Sequence, residues 1–424
     1  MRSPQSKPPP SIPSNGEPKQ EQEPAGHEEG LSDIVEIDPD GDIVLSIAHE
    51  SSAPGTAYSF RAKSSLLQSK SKYFAGLLQG RFGESERIAQ THRKLREVHG
   101  TVENAPAREL PVIHIEDVGR ISAVKSIQPL CTDFLSILHD RDIQPATPVS
   151  NLANLAILSD RFDALGAVQA YVRRKRLIRA IDGKTTAKMD TGLSEERVRQ
   201  RLLVSSLLDY PAWTEKYSTR IIMKGWVARD VSDSQPLWWD LPARFEEELA
   251  YRRDCVLETI QSVQTHFLAL YASRERQCKL GYDSSAQCDS FQLGEMIRFL
   301  SRIGTLHLQG VIFDTTDPPP PFEGDIHILL ESLRQVPEYQ IDRNHAHCGL
   351  RTRITPILDI LLECLQHVGI CSDCWSQNRA EHAWMEKKRP LVWRRQSLQL
   401  RAGHKEMHAS VRALFTAAER DWSC

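Results

Sequence analysis

The hydrophobic rhythm of the chain changes several times, and each change marks an element. From Asp33, DIVEIDPDGDIVLSIA reads as two short β runs around a DPDG turn, and TAYSFRA as a third strand after an APG turn. Gly41 is expected to supply the positive φ that such turns ask for. SSLLQSKSKYFAGLLQG then switches to helical spacing, with Leu66, Leu67, Tyr73, Phe74, Leu77 and Leu78 recurring along two short helices N-capped by Ser64 and Ser71. Residues 84–109 are polar and basic with little apolar periodicity, which predicts an inserted loop with at most a marginal helical turn. LPVIHIED returns to a strand, alternating Val112 and His114 against Ile113 and Ile115. Two helical regions follow, SAVKSIQPLCTDFLSILHD and SNLANLAILSDRFDALGAVQAYVRRKRLI, the second opened by Ser150 and broken around Asp160 to Leu165. The first module is expected to end near residue 180, at the turn IDGKTTAKMDTG.

The rest is mainly helical in pattern. RVRQRLLVSSLLDYPAW stops at Pro211, and LPARFEEELAYRRDCVLETIQSVQTHFLALY is a long helix whose start is favoured by Pro242. FQLGEMIRFLSRIG, GDIHILLESLRQV and RTRITPILDILLECLQHV are further helices. At the other end, residues 1–30 hold seven prolines and many Gln and Glu, a composition that predicts a disordered tail. The expected organisation is that tail, an α+β module over 31–180 carrying the polar insert 84–109, and a mainly α-helical region over 181–424.

Composition adds exclusions. Length alone, at 424 residues, allows two or three domains. Lys and Arg number 53 against 56 Asp and Glu, so the net charge of −3 argues against binding nucleic acid through bulk charge. The longest apolar stretch, ITPILDILLECLQHVGI, is interrupted by Asp359 and Glu363 and is too short to span a bilayer comfortably. Met1 to Gly30 has no apolar signal-peptide core, and nine cysteines are an odd and sparse set for a disulfide scaffold. An intracellular place, cytoplasm or nucleus, with reduced thiols and no membrane partner is the expectation.

Phe60 to Glu84, FRAKSSLLQSKSKYFAGLLQGRFGE, resembles the signature of the BTB/POZ domain. Phe60, Leu67, Ser71, Tyr73, Phe74, Leu78, Phe82 and Glu84 stand at the matching spacing, and Asp42 in GDIVLSI takes the place of the family's usual aspartate. LPVIHIEDV, FLSILH and NLANLAILSDRFDALGAVQAYV follow in the order of the rest of that domain, and the phrasing is most similar to BTB proteins of filamentous fungi. RRDCVLETI and CDSFQLGEMIRFL resemble the helical tails of the same proteins. The resemblance implies a small sheet flanked by helices, and a module that dimerises or binds a protein partner. Two departures stand out: Lys63 replaces the common histidine, and the insert lengthens the loop where the family can contact cullin scaffolds, which argues against cullin binding. The same residues read from physics alone say that a small domain with surplus apolar surface can bury it by pairing through its first helix, or can keep those side chains in its own core.

Cysteine and histidine gather late, at Cys278, Cys288, His345, His347, Cys348, Cys371, Cys374 and His382. In a reduced setting, thiolate and imidazole in fours suit tetrahedral zinc, and HAHC and CSDC each present two ligands from one turn. The favoured set is Cys278, Cys288, His345 and Cys348, a single structural zinc; the resemblance to the fungal tails points the same way. The rival is Cys371 and Cys374 with His347 or His382, and the ordinary alternative is that these cysteines are small buried apolar residues.

Enzyme readings find little. His114-Ile115-Glu116 with the distant Cys371 and Cys374 only superficially resembles a zinc deaminase pattern. G-x-G-x-x-G, G-x-x-x-x-G-K-[ST] and G-x-S-x-G are absent. Glu246, Glu247 and Glu248 read as a solvated helix face. Arg173 to Arg176 is either an import signal or a cationic helix C-terminus stabilised by the macrodipole; Lys387-Lys388-Arg389 with Arg394-Arg395 is an import signal, a single-stranded nucleic-acid surface interleaved with Trp384 and Trp393, or an ordinary basic surface with those tryptophans packed inward. The sequence therefore predicts a non-enzymatic scaffold or adaptor acting through 31–180 as a homodimer or on a protein partner, with ubiquitin-ligase substrate adaptor among the readings. The alternative is a nuclear, transcription-related regulator whose zinc-stabilised basic C-terminal half touches nucleic acid.

Overall fold

The computed structural model describes residues 34–423 except 50–56, 80–82, 123, 145–146, 233, 279, 281–284, 307–321 and 378–382. The expected disordered tail over 1–30 lies outside the described residues.

Four strands form the sheet: β1 (Val35–Glu36), β2 (Ile43–Ala48), β3 (Ala57–Ala62) and β4 (Val112–Ile115), in the order β1-β3-β2-β4. β2 runs antiparallel to β3 with Leu45 opposite Phe60, and β4 lies parallel to β2 with Ile113 opposite Leu45. Ile113 and Ile115 are buried and Val112 and His114 exposed, the alternation expected of a strand with one core face. Gly41 is needed here for a reason other than the one expected. Its φ is not positive; a Cβ there would stand 2.9 Å from the backbone of Ala62, so the gain is close approach to β3.

α1 (Ser64–Lys70) and α2 (Lys72–Leu78) follow β3. Ser71 caps α2, accepting from the Phe74 N–H at 3.1 Å and donating to the Phe162 carbonyl at 2.6 Å. Ser64 does not cap α1, which begins with it. Its N–H and hydroxyl both donate to the Asp42 carboxylate at 2.7 Å, so the cap arrives from the strand instead.

The insert is the largest departure. Instead of a loop, Gly83–His99 forms the 17-residue helix α3. Leu95, Val102, Ala105 and Leu110 pack with Val44 as a separate small core, so the insert covers the face of β2 opposite Ile43, Leu45 and Ile47. Only Leu95 of the helix is buried, which is why apolar periodicity was too thin to signal it. The buried Arg61 guanidinium fastens this cover, donating to the carbonyls of Gly41, Glu103 and Ala105.

α4 (Gln128–Leu138), α5 (Val149–Arg161) and α6 (Leu165–Lys175) complete the first region. At the α5–α6 break, Phe162 stacks on Phe74 and Phe134 with centroids 5.3 and 5.5 Å away. The turn expected near 180 is helical: α7 (Leu177–Lys184) and α8 (Ala187–Thr191) occupy it, separated from α6 by Arg176 in the left-handed region. α9 (Glu195–Leu207) is followed by α10 (Pro211–Lys224), so Pro211 opens a helix at its first turn rather than only closing the preceding one.

The remaining elements are α11 (Phe245–Ala272), α12 (Ser285–Arg302), α13 (Ile326–Arg334), α14 (Leu350–Leu365), α15 (Ser372–Gln377) and α16 (His404–Thr416). β5 (Val392–Arg394) and β6 (Glu419–Asp421) pair in parallel near the C-terminus. The chain is thus a mixed, mostly helical structure with a small sheet. α5 packs along α9, and one apolar core runs from Ile37 through Phe134, Leu202 and Leu361 to Trp422. Among the described residues, no helix is long and apolar enough to cross a membrane.

Candidate metal centre

Three separate segments deliver Cys278, Cys288, His345 and Cys348 to one place. Cys278 follows the end of α11, Cys288 sits in the first turn of α12, and His345 and Cys348 belong to the turn preceding α14. That turn is built locally: the Asp342 carboxylate accepts from the Asn344 N–H at 2.8 Å, and the Cys348 N–H donates to the His345 carbonyl at 3.2 Å. The two-residue gap then places both side chains on the same side.

All four residues are buried, and their ligand atoms lie within 4.8 Å of one another. Cys278 Sγ is 3.4 Å from His345 Nδ1 and 3.7 Å from Cys348 Sγ, and Cys348 Sγ is 3.8 Å from the same nitrogen. A tetrahedral ion with Zn–S of ~2.3 Å and Zn–N of ~2.0 Å has S···S edges of ~3.8 Å and S···N edges of ~3.5 Å. The spacing fits such an ion, whereas a disulfide would require ~2.05 Å between sulfurs. All three cysteines are free.

Surrounding groups hold the ligands in position. The Asp289 carboxylate, next to Cys288, accepts from the N–H groups of Gln277 and Cys278, each at 2.9 Å. The Tyr271 hydroxyl donates to the Cys348 carbonyl at 2.7 Å, and Arg353 donates to the Gln277 carbonyl at 3.0 Å and its side-chain oxygen at 3.1 Å. None of these three supporting residues was visible as such in the sequence, because each belongs to the site through a partner distant in the chain.

The electrostatics separate the thiols. Burial raises the Cys278 thiol, but the Ser285 hydroxyl, the Leu280 N–H and the two neighbouring thiols outweigh it and bring the pKa down to about 7. Cys288 is pushed up by burial first and then by the charges of the two neighbouring sulfurs, and Cys348 by burial first and then by its hydrogen bond with Cys278. Three thiolates and a neutral imidazole around a dication carry a net charge of about −1. Arg353, whose charge also favours the Cys348 thiolate, is the nearby cation that would offset it once an ion is held.

The rival set is only partly within view. His347 is exposed on the 345–348 turn, and His382 lies outside the described residues. Cys371 and Cys374 are buried and face His404 and His408 of α16. These two histidines, spaced four apart, stand thirty residues beyond CSDC in the chain, and only folding brings them to it.

The signature residues of the first region serve the fold. Phe60, Leu67 and Phe74 are core, Tyr73 and Leu78 pack against it, Asp42 and Ser71 act as described above, and Phe82 lies outside the described residues. The Glu246–Glu248 reading needs correction. Glu247 is exposed, but Glu246 pairs with the fully buried Arg199 at 2.9 Å and Glu248 is itself buried. A run of three carboxylates on a 100° helical period cannot face one way, and the flanking positions turn inward to meet arginines. In the basic runs, Arg173 pairs with Asp209 and Lys175 with Asp142, while Trp384 stacks on Phe415 and Trp393 packs on Trp422.

Set beside known proteins, the chain matches no family model, no curated protein and no solved structure.

Proposed function

We propose that the chain is a non-enzymatic protein–protein interaction scaffold, in which a BTB/POZ-like α+β region presents the binding surface and a structural zinc fixes the helical half. The observation that carries this reading is the closure of the Cys278–Cys288–His345–Cys348 cluster. Four buried protein ligands within 4.8 Å of one another would fill a tetrahedral shell and leave no position for water or substrate, which is how zinc serves structure rather than catalysis. The ion would tie the end of α11 to the starts of α12 and α14, and its role ends there.

The first region supports the scaffold reading through its surface. Leu66, Leu77 and Leu78 on α1 and α2 remain half-buried beside the fully buried Leu67 and Phe74. Such a surface is suited to a second copy of the chain meeting it symmetrically. An ordered α3 over the sheet favours self-pairing above contact with a cullin at that loop.

Light scattering on the full chain tests the pairing: a dimer at micromolar concentration that becomes monomeric in Leu66→Glu is expected. A monomer at every concentration, together with failure to retain any cullin, would overturn the scaffold reading. For the metal, zinc analysis of the full chain against Cys348→Ala should show one equivalent lost; equal content would reject this ligand set.

A further inference from the structure

We infer that Cys371, Cys374, His404 and His408 form a second zinc site, independent of the first and of the scaffold reading. CSDC opens α15 and presents two sulfurs from one turn, while His404 and His408 stand one turn apart at the start of α16 with ring centroids 4.5 Å apart. His404 Nε2 lies 3.4 Å from Cys371 Sγ and 3.2 Å from Cys374 Sγ, and a ring nitrogen of His408 lies within 4.8 Å of both sulfurs. C-x-x-C with H-x-x-x-H is the ligand chemistry of a Cys2His2 zinc, here divided between two elements thirty residues apart (Cys374 to His404).

The surroundings suit the charge. Two thiolates, two neutral imidazoles and a dication sum to zero, and binding releases the two thiol protons. A neutral centre is the kind that can be buried beside the paired Glu248 and Arg252 without adding a net charge there. Its structural task is also defined. α16 reaches the long helix α11 from the far end of the chain, and the ion would anchor the first turn of α16 to the segment that leaves α14.

His408 has a competing neighbourhood, since its ring also lies within 4.8 Å of groups on Glu215 and His367. The geometry points to the sulfurs because they already hold His404 within bonding reach of a common ion.

The test counts zinc in the full chain and reads the atoms around it. Metal analysis should give about two zinc per chain in the wild type and about one in Cys371→Ala/Cys374→Ala, in His404→Gln and in His408→Gln, with His367→Gln unchanged. Because a variant can fail to fold, X-ray absorption on the unaltered chain supplies the second reading: an average shell of about 2.5 sulfurs and 1.5 nitrogens per zinc is expected. One zinc per chain with three sulfurs and one nitrogen overturns the second site and leaves the first standing. One zinc with two of each sinks the first and supports the second. Loss of metal in His367→Gln but not in His408→Gln would remove His408 from the set.

Discussion

Glu248 and Arg252 stand one turn apart on α11, both buried, with Glu248 Oε1 2.7 Å from Arg252 Nε. Each reaches a different stretch of backbone. Arg252 donates to the carbonyls of Val368 and Gly369 at 2.9 and 2.6 Å, and Glu248 accepts from the N–H groups of Trp384 and Met385 at 2.9 and 3.2 Å. The pair therefore grips the chain on both sides of Cys371 and Cys374. Arg252→Met leaves a buried carboxylate and two carbonyls without their donor, and should lower unfolding free energy by ~3–5 kcal/mol in urea titration. A loss below ~1 kcal/mol would show that the grip is dispensable.

A second prediction concerns pH. The Lys63 N–H donates to His139 Nε2 at 2.9 Å, and His139 Nδ1 donates to the Leu135 carbonyl at 2.7 Å, so the ring is held neutral. Burial, above all, holds its pKa below the ordinary 6.5. The unfolded chain takes the proton first as pH falls, so this contribution is complete above about pH 6.5 and is lost progressively below it. His139→Gln should flatten the fall in urea midpoint between about pH 7.5 and 5.5. A slope identical to wild type would show that the ring is protonated without cost.

Gly41→Ala tests the tight contact at the start of β2. The added methyl would meet three backbone atoms of Ala62 at 2.9 Å, and the expected loss is ~1–3 kcal/mol. Gly83→Ala, where a Cβ meets nothing within 4 Å at the start of α3, is the control and should be neutral or slightly stabilising.

Chelation should separate the two centres. His404 is exposed at the start of α16, whereas all four ligands of the Cys278 cluster are buried. EDTA should therefore remove zinc in two phases, and the faster phase should be missing from Cys371→Ala/Cys374→Ala. A single phase in the wild type, unchanged in that variant, would contradict the assignment.

Where a residue's role depends on near neighbours, it was legible. Ile113 and Ile115 declared their face by alternation, Ser71 its cap by position, and His345 with Cys348 their shared turn by spacing. Where the role depends on a distant partner, the pattern carried no trace. α3 buries one leucine and owes its place to Arg61 and Val44; Glu248 looks like surface until Arg252 and residues 384–385 arrive. Asp289, Tyr271 and Arg353 join the metal cluster through backbone groups, which have no letter in the sequence. His404 and His408 carried the right spacing, but only folding sets them opposite CSDC.

The uninterrupted apolar interior has a consequence for cooperativity. With α5 lying along α9, one apolar cluster of the described residues spans the sheet and the helical half, so the two are expected to melt together. Loosening the buried Leu155 of α5 would lower the melting temperature sensed by the tryptophans, all of which lie in the other half. Partner binding at the first region would, by the same route, protect the helices that carry the Cys/His clusters from unfolding.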